Sequence, residues 1–423
     1  AGIVARVAAR LAQVPLVVHS SHGTVFQGYF SPGKSRFFLL LERFGGRLST
    51  RIIASSEGLR DDLVRLRVAP AERIEVIPFP VDKIDGPAEE LPPAEEPAAS
   101  PEPEQAPPRR VYAPRTRKPI TVEAGGRQVT VTSLDRVLWP DDGLTKGDLI
   151  DYYRRMAPLV LPYVVDRPQS LHRFPAGIHG ESFYHKDVDY APDWVETVNL
   201  PSESDPEGIN YLLCQDEATL VYMANLGCIE LNPWNSRVGH LDRPDWLVFD
   251  LDPGEIAFGE VVRTALAIHE ILGSLDVPHR VKTSGATGMH IYVPLEARYT
   301  YEQALKFGLI VGHLVHNRLP LITSLDRDPR RRREKIYIDL YQNRRGQTLA
   351  APYCLRPRPG APVSTPLRWE ELASDLDPRD FNIHNIQERV DELGDLWRDV
   401  LGPAADMEAA LQRLEQMWQG QKA

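Results

Sequence analysis

The stretch WLVFDLDPGE, residues 246–255, decides how the chain is read. In an extended strand side chains alternate, so Phe249 and Leu251 point to one face while Asp250 and Asp252 point to the other, roughly 6.6 Å apart along the strand. Two carboxylates on one face can grip divalent cations. Pro253 and Gly254 stop the strand at once, which leaves the pair at a sheet edge or mouth where substrate can reach it. Such a D-x-D serves phosphoryl transfer and nucleotide-sugar transfer alike, and a solvated strand end before a turn would look the same. Alone, the pair does not choose.

A third acid narrows the choice. In KIYIDLYQN, residues 335–343, Ile336, Ile338 and Leu340 share one face, and Tyr337, Asp339 and Tyr341 share the other. A carboxylate embedded in an apolar strand must be bonded or hold a metal, because burying it alone is costly. Two acids from one strand and one from a neighbour can hold two Mg²⁺ or Mn²⁺ ions about 3.5–4 Å apart for in-line phosphoryl transfer. Between these strands lies KTSGATGMHIYVPL, residues 282–295. Gly285 and Gly288, with Ser284 and Thr287, form a tight turn whose free backbone N–H groups can cradle phosphate oxygens, and His290 follows it. A plain hairpin and a core histidine are the bland alternatives.

The rest of the chain sets limits. Its 423 residues suggest two or three domains, and 42% apolar with 26% charged residues is a globular composition. No window offers the roughly 18 apolar residues of a membrane span. Cys214, Cys228 and Cys354 lack C-x-x-C spacing, so neither a disulfide framework nor a zinc ribbon is expected, and a cytoplasmic setting follows. The net charge of −10 argues against whole-molecule attraction to nucleic acid but leaves room for a local basic groove. One candidate is RDPRRRREK, residues 327–335. Residues 83–108 hold eight prolines and six glutamates and read as a stiff linker. The expected division is a segment 1–82, a linker 83–114 and a larger unit 115–423. The first residues read as a start inside a domain rather than a targeting peptide. At the other end Leu411, Leu414 and Trp418 fit a packing helix.

Before the linker, helical and strand-like runs alternate, as in a parallel Rossmann-type sheet. Through VVHSSHG (17–23), IIASSEGLRDDLV (52–64) and IEVIPFPVD (74–82), residues 1–82 resemble part of the N-terminal domain of a family 4 glycosyltransferase. That family holds its nucleotide-sugar mainly with a second Rossmann domain, and the chain runs into the linker instead, so a catalytically inert remnant or fusion is expected. His22 and Glu57 are the only candidates for an acceptor pocket there.

In the larger unit, strand-like and helical runs mix, which gives an α+β expectation with a mixed sheet. The order FDLDPG, TSGATGMH, YIDLYQN, then TLAAPYCLRPRPGAPVSTPLRWEEL (348–372), resembles the polymerase domain of bacterial DNA ligase D, in the archaeo-eukaryotic primase superfamily, over about residues 115–401. The fold class this implies is a primase-polymerase-like mixed sheet with flanking helices, preceded by the partial α/β segment. The resemblance implies Asp250, Asp252 and Asp339 as catalytic metal ligands for two Mn²⁺ or Mg²⁺ ions. It implies Ser284, Gly285, Gly288, His290 and Arg356 around the triphosphate of an NTP or dNTP. By the same resemblance Arg136 and Lys146 match positions that hold a downstream 5′-phosphate, and Phe183 and Tyr184 match aromatics that stack near the templating base. Asn232 stands where the family usually has a histidine before Pro-Trp.

What the resemblance implies in function is nucleotide addition at 5′-phosphorylated DNA ends and gaps in non-homologous end joining, in a bacterial cytoplasm at the nucleoid. The end-binding protein Ku and a separate DNA ligase would be partners, on the expectation that the chain carries no ligase K-x-D-G motif. Three other readings stay open: sugar transfer by the N-terminal segment, a metal-dependent nuclease or phosphoesterase, and a DNA-binding module without catalysis.

Overall fold

A computed structural model describes residues 2–11, 14–21, 32–54, 57–76, 119–188, 190–201 and 207–420. The linker 83–114 and His22 lie outside these, as does the side chain of Trp418.

Six strands form the central sheet, in the spatial order Thr323–Ser324, Ile336–Asp339, Trp246–Pro253, Met289–Pro294, Arg280–Thr283, Pro366–Leu367. The first pair runs parallel and the others antiparallel, which makes the sheet mixed, as expected. Alternation along the strands separates two cores. Leu247, Phe249, Leu251, Ile291, Val293 and Ile338 face the helices Phe258–Ser274 and Tyr301–Arg318. Trp246, Val248 and Tyr292 face the other core, built around the helices Lys146–Val164 and Glu217–Asn225. Polar residues in the same alternation phase as this second set therefore look away from the helical layer. Thr145 with Asp148, and Thr300 with Gln303, close capping boxes that fix where the first and last of these long helices begin.

The acid-bearing strand is third from one edge of the sheet, so of the two placements its sequence allowed, edge or mouth, the edge is excluded. Access comes instead from early termination of its neighbour. Along the acid-bearing strand, Ile336–Asp339 reaches only Asp250–Pro253, and beyond it the side chain of Asn343 bonds the backbone N–H (2.8 Å) and carbonyl (2.7 Å) of Val248. The Asn343 amide thus replaces the missing ladder partner, and the chain can turn away at Asp339 without orphaning buried backbone groups.

The N-terminal segment forms a three-stranded parallel sheet, Val18–Ser21, Arg51–Ala54 and Ile74–Val76, with a small core including Ile52, Leu59, Leu63 and Ile74. Its helices do not keep to themselves. Gly2–Leu11 packs on Tyr301–Arg318, and Pro32–Leu48 packs on the last helix, Met407–Gly420. Ile3, Val7, Phe37, Leu41 and Phe44 consequently share one core with Leu247 and Phe249. The apolar faces of these helices find cover on the back of the central sheet's helical layer. Among the described residues no helix is long and apolar enough to cross a membrane.

Candidate active site

Strand register assembles the site. Asp250 is paired with Asp339 across the ladder, and Asp252 with Tyr337, so the three acids emerge on one face. One ligand oxygen from each lies within 4.8 Å of the others. Burial first, then the charge of Asp339, pushes the Asp250 carboxyl up to about 7. Asp252 is likewise pushed up to about 7 by burial and by Asp250 and Asp339. Asp339, the last residue of its strand, accepts from the Tyr341 N–H at 2.8 Å and from Gln342 Nε2 at 3.3 Å. The other end of that amide, Gln342 Oε1, is buried without a partner. A converging set of hard oxygens at mutual repulsion, with a spare buried acceptor beside it, fits a divalent cation.

The same register carries the row onward. Asp250 pairs with His290 on the other side, and His290 with Lys282. His290 Nε2 lies 3.3 Å from Asp250 Oδ1, and its Nδ1 lies 2.8 Å from Lys282 Nζ. Burial, Lys282 and Arg356 hold the imidazole well below its ordinary pKa.

The expected phosphate turn is the hairpin joining Arg280–Thr283 to Met289–Pro294. Its N–H groups are less free than the sequence suggested: those of Ala286 and Gly288 donate to Ser284 Oγ, at 3.1 and 3.0 Å. What Ser284 offers a phosphate is therefore its hydroxyl proton. Gly285 has φ +69°, and a Cβ there would stand 2.7 Å from Arg356 Cγ; a Cβ on Gly288 would stand 2.1 Å from the Leu251 carbonyl. Both glycines let the turn lie flat under Arg356 and against the acid strand. Arg356 donates to the Ser284 carbonyl and, at 3.0 Å, to Glu230 Oε2. Burial pushes Glu230 up, but Arg356 and His172 outweigh it and hold this carboxyl down at about 2.

These groups line one cavity of about 500 Å³, with Asp250, Asp252, Ser284, His290 and Arg356 on its wall together with Tyr184, Lys186 and Asn232. Asn232, the departure noted in the sequence, donates weakly to the Glu230 carbonyl at 3.4 Å. A second cavity of about 200 Å³ opens on the far side of Asp339, walled by Arg327, Arg332, Tyr337, Tyr341 and Arg344. There Arg332 lies 3.6 Å over the Tyr337 ring, and Arg327 and Arg344 lie 4.8 and 4.4 Å from that of Tyr341. Part of the basic run is thus held on aromatic faces beside the acids.

Of the residues expected to meet DNA, Tyr184 lines the cavity of Asp250 and Asp252, while Phe183, Arg136 and Lys146 do not. Phe183 and Tyr184 are 46% and 57% exposed, so neither is a core residue. As neighbours on the strand Phe183–His185 they point to opposite faces: Tyr184 stacks on His172 at 4.2 Å, and Phe183 lies under Arg173 at 5.3 Å. Arg136 is exposed and donates to the Pro175 carbonyl at 2.9 Å. Lys146 is buried, with Nζ bonded to Asn225 Oδ1 (2.7 Å), Asn225 O (2.9 Å) and Thr132 Oγ1 (3.4 Å). Burial and Arg136 push its ammonium down to about 8. A phosphate reaching Lys146 would have to displace one of those acceptors.

Sequence reading missed Lys282, Glu230, Gln342 and Asn343. A lysine in RVKTSG reads as solvated, and nothing local shows that its strand is interior. Asn343 did carry a signal, since an amide just past the third acid can only be spared for capping or ligation.

A mixed sheet whose central strands present three acids toward a basic-walled cavity defines a primase-polymerase domain. The family profile described as LigD, primase-polymerase domain, matches residues 145–397, and the chain belongs to that family. Residues 1–80 match a glycosyl transferase 4-like domain. The multifunctional non-homologous end joining protein LigD of Pseudomonas aeruginosa is 32% identical over 288 residues, covering 67% of this chain and 34% of that protein. The bifunctional non-homologous end joining protein LigD of Bacillus subtilis is 30% identical over 267 residues, covering 62% of this chain and 42% of that protein. The chain thus spans well under half the length of these relatives. Among solved structures, the polymerase domain of Mycobacterium tuberculosis ligase D in complex with DNA matches with a TM-score of 0.61 at 27% identity, covering 65% of this chain and 99% of that one. A K-x-D-G tetrapeptide does occur outside the larger unit, at Lys83–Gly86, within the linker and outside the described residues.

Proposed function

We propose that the chain is a template-dependent nucleotidyltransferase that adds NTPs or dNTPs at DNA ends and gaps in non-homologous end joining. The bond formed joins the primer 3′-oxygen to the α-phosphorus, the bond to the bridging oxygen breaks, and pyrophosphate leaves. The observation that carries this is the register pairing of Asp250 with Asp339, with Asp250 lining a cavity that Asp252, Arg356, Ser284 and His290 also line.

Asp250, Asp252 and Asp339 would hold one or two Mn²⁺ or Mg²⁺ ions. Bound there, such ions lower the pKa of the attacking hydroxyl and neutralise triphosphate charge. Arg356, kept cationic by Glu230, sets a fixed positive charge for the triphosphate, and the Ser284 hydroxyl donates to a phosphate oxygen. Tyr184 offers an exposed ring to a base, and Phe183 offers one on the other face. Arg136 and, after exchange of an acceptor, Lys146 hold the downstream 5′-phosphate. Ku and a DNA ligase act as partners, at the nucleoid in the cytoplasm. The division at residues 82 and 114 belongs to the same proposal, with 1–82 serving the polymerase unit as packing rather than as a sugar-transfer site.

The test is extension of a gapped, 5′-phosphorylated duplex by the full chain, with NTPs and dNTPs in Mn²⁺. Template-directed addition of one or more nucleotides is expected, and it should vanish in Asp250→Ala while gapped-duplex binding remains. No addition under these conditions would sink the reading. Cleavage of the duplex in place of extension would favour the nuclease.

A further inference from the structure

Lys282 is fully buried behind the candidate nucleotide cavity and forms no part of its lining. Its Nζ has three partners: His290 Nδ1 at 2.8 Å, the Ala350 carbonyl at 3.0 Å and Ser364 Oγ at 2.5 Å. A carbonyl only accepts. Ser364 spends its own proton on the Thr283 carbonyl at 3.0 Å, so its oxygen has only lone pairs left for Lys282. An ammonium has three donors and no acceptor, and these three partners use all of them. Burial pushes Lys282 down to about 7, but two of its partners can only accept and the third completes an ammonium's set of donors, so the geometry fits the charged form. His290 Nδ1 must then be bare, and the ring proton sits on Nε2, the atom 3.3 Å from Asp250 Oδ1.

The other two partners matter as well. Ala350 and Ser364 bracket the loop that carries Arg356, and the Ser364 N–H closes that loop by donating to the Cys354 carbonyl at 2.9 Å. Tyr353, inside it, is held at φ +60°. One ammonium thus touches both the group that faces the acids and the frame of the arginine loop.

We propose that Lys282 is a positioning residue: it fixes His290 as the Nε2–H tautomer donating to Asp250, and it ties the Arg356 loop to the same point. This rests on the nucleotidyl-transfer reading of the cavity. Lys282 touches no reacting atom and acts through His290 and the loop, as outer partners of metal-site ligands do.

The experiment uses the full chain with ¹⁵N-labelled histidine, free of metal and at neutral pH. The His290 tautomer is read from ¹⁵N–¹H couplings after assignment with His290→Gln. The wild type should show the Nε2–H form. Lys282→Met should lose it or mix it with the other tautomer. In primer extension the same variant should lower kcat by about 10- to 100-fold at unchanged gapped-duplex affinity, and Lys282→Arg should recover part of that loss. A wild-type His290 protonated on Nδ1 overturns the proposal whether or not the variant folds. So does Lys282→Met with wild-type tautomer or wild-type kcat. If the wild type adds no nucleotide at all, the transfer reading fails instead, and the spectrum alone then decides the tautomer.

Discussion

Asp250 faces Asp339 directly across the strand ladder, so backbone hydrogen bonds, not side-chain choice, hold their carboxylates together. Like charges in that position destabilise a sheet by up to about 1 kcal/mol. In chelator, Asp339→Asn is therefore expected to raise stability by about 1 kcal/mol in urea denaturation, while nucleotide addition falls by about a thousandfold or more, the equivalent of about 4 kcal/mol of lost transition-state stabilisation. A variant less stable than the wild type without metal would show that the pair is not strained.

Arg356 and Glu230 form a nearly buried ion pair at 3.0 Å. Arg356→Ala leaves that carboxylate without its guanidinium, and a loss of about 3 kcal/mol in unfolding free energy is expected. Adding Glu230→Gln should restore much of the stability without restoring nucleotide affinity. The two effects separate in a denaturation series run beside nucleotide titrations.

The two exposed rings should not behave alike. Tyr184 lines the 500 Å³ cavity, and Phe183, on the other face of the strand, does not. Replacing Tyr184 with Ala should weaken binding to a gapped duplex by about 1–3 kcal/mol in fluorescence anisotropy, the worth of one stacked base. Phe183→Ala should leave the nucleotide KM unchanged.

On the helical side of the sheet, His279 Nδ1 lies 2.7 Å from the Val277 carbonyl, and its Nε2 lies 2.8 Å from His269 Nδ1. Burial first, then the charge on His269 and Arg280, lowers its pKa to about 4, against an ordinary value near 6.5. Because the unfolded chain binds this proton more readily, the contribution is present above about 6.5 and is lost as pH falls toward 4. His279→Asn should flatten the acid limb of the stability profile between those values, measured by urea midpoints at several pH values.

Phe37 places the N-terminal segment under test. Its ring is fully buried and lies 6.0 Å from that of Tyr299, whose hydroxyl accepts from the Met407 N–H at 3.2 Å. Phe37→Ala is expected to cost about 3–5 kcal/mol and to lower the midpoint for the polymerase sheet in the same transition. Two separate transitions, only one of them shifted, would show that the segments do not share a core.

The acids were legible because strand alternation is a strict period: Asp250 and Asp252 had to share a face, and Asp339 broke an apolar pattern. The long helices were legible too, since Thr145 and Thr300 mark their starts. Register was not, because nothing in either strand's own sequence says that Asp339 stands opposite Asp250 rather than Asp252. The same gap hid Lys282, whose burial comes from neighbours on both sides of its strand. It also hid the docking of the first helices, since an amphipathic face shows that a helix needs cover but not which surface supplies it. In the turn, the expected free N–H groups were lost to the nearest hydroxyl, a competition that spacing alone does not resolve.

The contact between Pro32–Leu48 and Met407–Gly420 bears on how the chain is made. The earlier helix leaves the ribosome long before its partner is translated, and nearly the whole chain lies between them. Through that interval Phe37, Leu41 and Phe44 have no finished surface to close on. Seating them is a late, long-range step that waits for the partner helix, and until then they offer an apolar patch to chaperones or to other nascent chains.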